Sequence, residues 1–431
     1  MHKYLKIVFI FILLQSFYFK KGMAGEILNW EACIEEAQKN HPDLISAEEN
    51  IKQLEASKKI TASTLFPQID SSVDASRAKT TSVSSSGTKT TKTANTFTYG
   101  ASATQLLFDG LKTLDNVKAA SENIKAAQYN YKFTSTEVRL RLRTAFISLL
   151  KAQELLNITE EIYNIRRGNL ELITLRYESG LEHKGALLNA QANLAQAQFE
   201  IAQAKRILEV VQRQLIKEMG RTKFSPLRVQ GDFKVSDVAS EKPDFELLAK
   251  NSPSLEKLIA QKNAAVFGIK SAQADFFPEL SAQAGANRKS SRWPPQDKQW
   301  DAGLTLSFPI FEGGLRLAEV AQAKAIFNQA QANERSTKDG VIVTLEQAWA
   351  ALQDAVETVQ VQKKFLEAAQ ERSKISEAQY SLGLIQFDNW TIIEDDLVRE
   401  KKAFLDAQAN ALLGEADWIY AKGETLEYAQ K

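Results

Sequence analysis

The chain has 431 residues, 44% hydrophobic and 25% charged, which fits a folded protein of two or three ordinary domains and excludes a disordered one. Its 54 lysines and arginines nearly balance 53 aspartates and glutamates, so no net field draws it toward nucleic acid or an anionic surface. It carries no G-x-x-x-x-G-K-[ST] loop, no H-E-x-x-H and no pair of C-x-x-C motifs, which leaves no signal for ATP use, a zinc site or an enzyme.

At the start, His2, Lys3 and Lys6 precede the apolar run Ile7 to Leu14, and Gly22-Met23-Ala24 follows. A positive end, a short apolar core and small residues read as a secretory signal over residues 1–24, so the mature chain is expected to be exported. The run falls short of the roughly 20 residues a spanning helix needs. The lone cysteine, in Trp30-Glu31-Ala32-Cys33, lacks the sequence context for lipidation and reads as a small buried residue on a helix.

The remainder reads twice. Asn40-His41-Pro42-Asp43-Leu44 parallels Asn251-Ser252-Pro253-Ser254-Leu255, and Phe66-Pro67-Gln68-Ile69 parallels Phe277-Pro278-Glu279-Leu280, both at an offset of 211 residues. Phe108-Asp109-Gly110 parallels Phe311-Glu312-Gly313, Tyr177-x-x-Gly180-Leu181 parallels Tyr380-x-x-Gly383-Leu384, and Gly220 parallels Gly423, all at an offset of 203. Two copies of one unit are predicted, residues 25–221 and 250–423, with the eight-residue difference between Pro67 and Phe108. Residues 222–249 form a connector outside the long helices, and the tail 424–431 has no recognisable role.

Within each copy a helix opens at Pro42 or Pro253, where a missing N–H is harmless in the first turn, and ends at the Phe-Pro pair. Alternation then runs through Ile69, Ser71, Val73, Ala75 and Phe97, Tyr99, Ala101, Ala103. In the second copy it runs through Leu280, Ala282, Ala284 and Trp300, Ala302, Leu304, Leu306, Phe308. A period of two predicts strands. The polar stretches Ala78 to Asn95 and Arg288 to Lys298 are expected to be loops, so each copy supplies one hairpin, about 67–108 and about 278–311.

After Gly110 and Gly313 the chain runs about 70 residues without proline to Gly180 and Gly383, on the order of 100 Å of helix. Val117, Ile124, Tyr131 and Val138 recur every seven residues, echoed by Val320 and Phe327, which predicts a coiled-coil seam. Return helices rich in Ala and Gln, Leu187 to Met219 and Trp390 to Lys422, stop at Gly220 and Gly423.

Four strands with small and aromatic residues on one face and Ser, Thr, Gln and Gly on the other look like the lipid and lumen sides of a membrane barrel. Four strands cannot close a barrel, and hydrocarbon does not tolerate open edges, so several chains must pool their hairpins. Phe97, Tyr99, Trp293, Trp300, Phe308 and Phe311 are candidates for an interfacial aromatic belt, with ordinary core aromatics as the alternative.

The doubled unit, its N-x-P-x-L openings, the Phe-Pro and Phe-x-Gly hairpin ends and both Y-x-x-G-L turns together resemble the TolC-type outer membrane efflux protein family, over about residues 26 to 423. The resemblance implies an α+β, mainly helical fold, as a homotrimer. A twelve-stranded transmembrane β-barrel, four strands per chain, tops a long α-helical barrel of antiparallel coiled-coil helices in the periplasm. It implies a passive exit duct from periplasm to exterior in a tripartite efflux or type I secretion system. The implied partners are a periplasmic adaptor (membrane fusion) protein, an inner membrane pump of RND, ABC or MFS type and outer membrane lipid, with no cofactor, metal or nucleic acid.

The resemblance also places Tyr177, Gly180, Leu181, Tyr380, Gly383 and Leu384 in turns at the periplasmic tip. Phe66, Pro67, Phe108, Gly110, Phe277, Pro278, Phe311 and Gly313 fall at the ends of the barrel hairpins. Family members often carry an acid six positions after the second tip glycine; this chain has Asn389 there, and the neighbouring Asp388 is the candidate gate acid, with a solvated helix cap as its alternative. Glu394, Asp395 and Asp396 beyond it either favour cationic substrates or cover a wet helix face. His41 and His183 are too few for a histidine-based site, His183 reads as an exposed turn residue, and Met219 as the only methionine after the signal argues against a methionine-lined copper path. A periplasmic or surface structural coiled-coil or adhesion protein is the competing function; it accounts for the helices but not for two lipid-suited hairpins.

Overall fold

A computed structural model describes residues 26–235 and 242–427; the predicted signal segment, part of the connector and the last four residues lie outside the described residues. The first half runs β1 (Glu26–Leu28), α1 (Trp30–Asn40), α2 (Pro42–Ser63), β2 (Gln68–Val83), β3 (Lys89–Phe108), α3 (Lys112–Glu178) and α4 (Lys184–Glu218). After β4 (Leu227–Val229) and the short α5 (Phe245–Lys250), the second half runs α6 (Pro253–Ala274), β5 (Glu279–Ser290), β6 (Asp297–Ser307), α7 (Leu315–Ser381) and α8 (Phe387–Ala421).

Corresponding helices match in length: 22 residues in α2 and α6, 67 in α3 and α7, and 35 in α4 and α8. At about 1.5 Å per residue α3 and α7 each reach roughly 100 Å. The central helix is α3, packed against α2, α4, α6 and α8, while α7 packs against α5, α6 and α8. The shorter helices meet end to end beside the long ones. Gly220 and Gly423 stop α4 and α8 in the left-handed region, φ +77° and +76°, and a Cβ at either would collide with the Asn40 carbonyl or the Pro253 ring that begins the next short helix.

The largest core lies at this junction. Cys33, Ile34 and Ala37 of α1 and Leu44 of α2 pack on Val138, Leu142, Ala145, Phe146 and Leu149 of α3 and on Leu215 and Met219. The connector joins in through Leu227 and Val229 of β4, which pairs in parallel with β1. Burial pushes the Cys33 thiol up to about 12, so it stays protonated. The tail also has a place here. Leu426 is fully buried in the same core, its N–H donates to Ser135 Oγ, and Glu427 accepts from Ser135 (2.9 Å) and the Tyr131 hydroxyl (3.2 Å). Arg139 reaches Glu424 and the Thr425 carbonyl, so the end of the second half is fastened to the long helix of the first.

The hairpins differ from expectation in one respect. The polar stretches read as loops are mostly strand: β2 continues to Val83 and β3 resumes at Lys89, and the second hairpin leaves only residues 291–296 unpaired. Lys79 pairs with Thr93 and Thr81 with Thr91, so backbone pairing carries the ladder through residues whose side chains suit water.

A cluster of charge locks the helix junction. His41 caps α2 by accepting the Asp43 N–H at Nδ1, which leaves Nε2 toward Glu218 at 3.5 Å. Lys217 and Arg141 also reach Glu218, and Arg141 bridges on to Asp43. The His41 contact, with the two cations, holds the buried Glu218 carboxyl at about 2, well below its ordinary 4.5. A depressed carboxyl stabilises the fold above its ordinary range and loses that contribution as pH falls from about 4.5 toward 2. Glu218→Gln is therefore expected to cost roughly 2 kcal/mol at pH 7. In thermal unfolding of the detergent-solubilised protein, the gap between variant and wild type should narrow as pH is lowered through that window.

Candidate functional site

The antiparallel sheet, in the order β2-β3-β5-β6, sorts side chains by face. One row crosses Ser71, Ala101, Ala286 and Trp300, and the next two toward the helices cross Ile69, Ala103, Ala284 and Ala302, then Gln105, Ala282 and Leu304. The opposite face carries Asp70, Ser102, Gly285 and Asp301 on one row, with Thr104, Gln283 and Gly303 beside it. Apart from Ser71 and Gln105 on the apolar face and Leu106 on the polar one, the faces are thus separated along the segment nearest the helices.

The apolar face is bare within the chain. Ile69 is 75% exposed and Leu304 70%, far beyond the scattered exposure of single apolar residues on a soluble surface. Aromatic residues mark both ends of this band. Phe97 and Tyr99 each lie 6.2 Å from Trp293 of the β5–β6 turn, with Trp300 nearby in register, whereas Phe308 and Phe311 lie at the helix end. Trp300 and Phe308 are eight residues apart, about 26 Å of strand, comparable to the apolar height of a membrane barrel. Both outer strands, β2 and β6, are exposed at every residue and have one edge of backbone N–H and C=O groups that pairs with no other strand among the described residues.

The hairpin ends anchor the sheet to the helices. Phe66 and Pro67 lead into β2, Phe277 and Pro278 into β5, Phe108 closes β3, and Phe311 stands exposed beyond β6. Gly110, at φ +68°, sits against Phe277 and the Ala274 carbonyl with no room for a Cβ, which joins the two hairpin bases; Gly313, at φ +62°, has open space.

At the opposite end the two Y-x-x-G-L turns reverse the chain between α3 and α4 and between α7 and α8. Gly180 and Gly383 adopt φ +73° and +78°, and the Leu181 and Leu384 N–H groups reach back to the carbonyls of Arg176 and Gln379 at 2.8 Å, closing each helix. Leu181 and Leu384 point into solvent. The two tyrosines part company. Tyr380 is buried, stacked on Trp390 at 4.5 Å, edge-on to Phe387 at 6.3 Å and covered by the Arg176 guanidinium at 4.8 Å. Its hydroxyl donates to Glu182 at 2.7 Å; burial first, and then that carboxylate, push the phenol above its ordinary range.

Tyr177 is exposed. Under the 203-residue offset its neighbours explain why: Gln379 replaces Arg176, Ile385 replaces Glu182, Lys184 stands for Phe387 and Leu187 for Trp390. The aromatic box therefore forms once per chain and ties the second turn to α3. Motif reading treated both tyrosines alike and did not single out Arg176, Glu182, Phe387 or Trp390.

Asp388 is exposed in the first turn of α8, where the helix dipole favours an acid; the cap position belongs to Gln386, so Asp388 is not the cap. The acids that follow are engaged by neighbouring helices, although Asp395 also stays exposed to water. Glu394 is buried and accepts from Ser373 Oγ at 2.5 Å, Asp395 pairs with Arg166 of α3, and Asp396 pairs with Arg372 of α7 and with Arg399. They bind α8 to its neighbours. His183 caps α4 by accepting the Ala186 N–H at 3.1 Å.

The sequence pattern of outer membrane efflux proteins matches residues 33–221 and 245–417. The outer membrane efflux protein BepC of Brucella suis is 21% identical over 81% of this chain and 76% of its own length. The outer membrane protein TolC of Escherichia coli is 22% identical over 75% of this chain and 69% of its own. In three dimensions the chain is similar to the CmeC outer membrane channel of Campylobacter jejuni, with a TM-score of 0.80 at 20% identity, covering 92% of this chain and 87% of that one.

The unequal tyrosines give a direct expectation. Tyr380→Ala empties a buried site worth about 3–5 kcal/mol and should raise hydrogen exchange across residues 176–182 and 380–390, read by mass spectrometry, whereas Tyr177→Ala should leave both segments unchanged. Equal effects would contradict the asymmetry.

Proposed function

The chain belongs to the outer membrane efflux protein family, and on that premise we propose that it is one of three identical subunits of a passive duct from periplasm to exterior. The observation that carries this reading is the four-stranded sheet with a bare apolar face, a polar face and two open edges. In hydrocarbon each unpaired backbone group costs several kcal/mol, so β6 of one subunit must pair with β2 of the next. Two chains would supply eight strands, a barrel whose interior side chains fill, whereas three supply twelve and leave a lumen lined by the polar face. The same threefold arrangement turns the layer of roughly 100 Å helices into a tube continuous with that lumen.

Residues 25–221 and 250–423 are read as two structural repeats, which place six hairpins and six long helix pairs around the axis in the trimer. The Y-x-x-G-L turns lie at the periplasmic tip, and Asp388, repeated by symmetry, forms an acidic ring that favours cations at the entrance. A duct supplies a path and no energy. A periplasmic adaptor docks near this tip, and an inner membrane pump of RND, ABC or MFS type drives transport of efflux or secretion cargo. A structural coiled-coil or adhesion protein has no use for an apolar sheet face with open edges.

Reconstitution into a planar bilayer tests the duct: discrete conductance steps are expected, and their absence from correctly inserted protein would sink it. In the same bilayers Asp388→Asn should lower cation over anion selectivity severalfold and weaken block by divalent cations; unchanged selectivity would remove Asp388 from the entrance.

A further inference from the structure

The apolar face of the sheet changes character toward the hairpin turns. On and beyond the row of Tyr99 it carries Arg77 and Lys79 on β2, Lys89 on β3, Arg288 on β5 and Lys298 on β6. No carboxylate stands on that face of the four strands; Asp70, Asp74, Glu279, Asp297 and Asp301 all project from the other. Arg288 and Lys298 are direct cross-strand partners, a like-charge pair that destabilises a sheet unless a negative group lies beside it. Among the described residues none of the five forms an ion pair, although most of them are well exposed on their strands. The near-neutral composition of the whole chain conceals this sorting.

We propose that these five residues form a cationic collar that binds the phosphate groups of the phosphorylated glycolipid in the outer leaflet of the membrane. The inference rests on the shared-barrel reading, in which the face bearing Ile69, Leu304 and Trp300 meets lipid. The hairpin turns point away from the helices, so Arg288 and Lys298 lie on the exterior side of the band, one row beyond Trp300, at headgroup depth, and Arg77, Lys79 and Lys89 continue outward along the longer first hairpin. Two clusters are present in each chain: Arg77 with Lys79, two residues apart on one face of β2, and Arg288 with Lys298, paired across β5 and β6. Since β2 and β6 are the outer strands, closing the barrel brings the clusters of adjacent subunits to the same seam. Paired cations with an arginine in each cluster suit a headgroup that carries more than one phosphate, because guanidinium groups bind phosphate through two parallel hydrogen bonds.

The test uses the full-length protein in mild detergent, titrated with lipid A bearing two phosphates, with binding read from the rise in thermal unfolding midpoint. Wild type should bind in a salt-sensitive manner, and R77Q/K79Q/R288Q/K298Q should weaken binding by at least about tenfold. Lys289→Gln, on the lumen face, should leave binding unchanged, whereas the charge-preserving R77K/R288K, which loses the paired guanidinium bonds, should weaken it severalfold but less than the quadruple variant. Equal binding by the quadruple variant, or equal stabilisation of wild type by dephosphorylated lipid A or by phosphatidylglycerol, overturns the proposal. Light scattering on the same samples separates the failures: a detergent-bound oligomer without phosphate preference overturns the collar alone, whereas a detergent-independent monomer overturns the barrel with it.

Discussion

Backbone hydrogen bonds that cannot be left open in lipid are the constraint on which the rest of this molecule depends. The β2-β3-β5-β6 sheet satisfies its inner ladders within one chain, and in the proposed assembly its two outer edges pair with another copy. In the proposed ring of copies, the apolar side chains would face lipid and the polar row through Asp70, Ser102, Gly285 and Asp301 would face water. The helices below would share the same symmetry, because Gly110 fastens the base of the first hairpin against Phe277 at the base of the second.

The helical body is held at a few points along its length. At the junction of the short helices, Glu218 gathers His41, Lys217 and Arg141, and Leu426 brings the chain's end back to α3. At the tip, the second turn is pinned by Tyr380, Trp390 and Arg176, whereas the first presents an exposed Tyr177. Two halves with equal helix lengths therefore differ in how firmly their turns are held. Any rearrangement at this end should begin where the aromatic box is absent.

Much of the architecture was legible in the sequence because it depends on local patterns. Proline openings at Pro42 and Pro253, glycine stops at Gly220 and Gly423 and the switch from a period of two to a heptad after Gly110 fall where the structure changes element. The difference between the two offsets pointed to a longer first hairpin, and the extra length lies in its strands, which the polar side chains of Ala78 to Asn95 concealed because ladder pairing depends on the partner strand. What stayed hidden is non-local. Tyr177 and Tyr380 share a motif, and what distinguishes them lies outside it: Phe387 and Trp390 on the following helix and Arg176 and Glu182 some 200 residues away. Glu394 to Asp396 read as a solvated run because Ser373, Arg372 and Arg166 lie on other helices. Leu426 carries no local signal at all, since its burial comes from docking on α3.

The central claim is that the open sheet edges of separate copies close on one another, and the mass of the assembly tests it most directly. Protein extracted from outer membranes in mild detergent should scatter light, after correction for bound detergent, with a protein mass near three chains. A monomer that stays soluble without detergent would contradict the account.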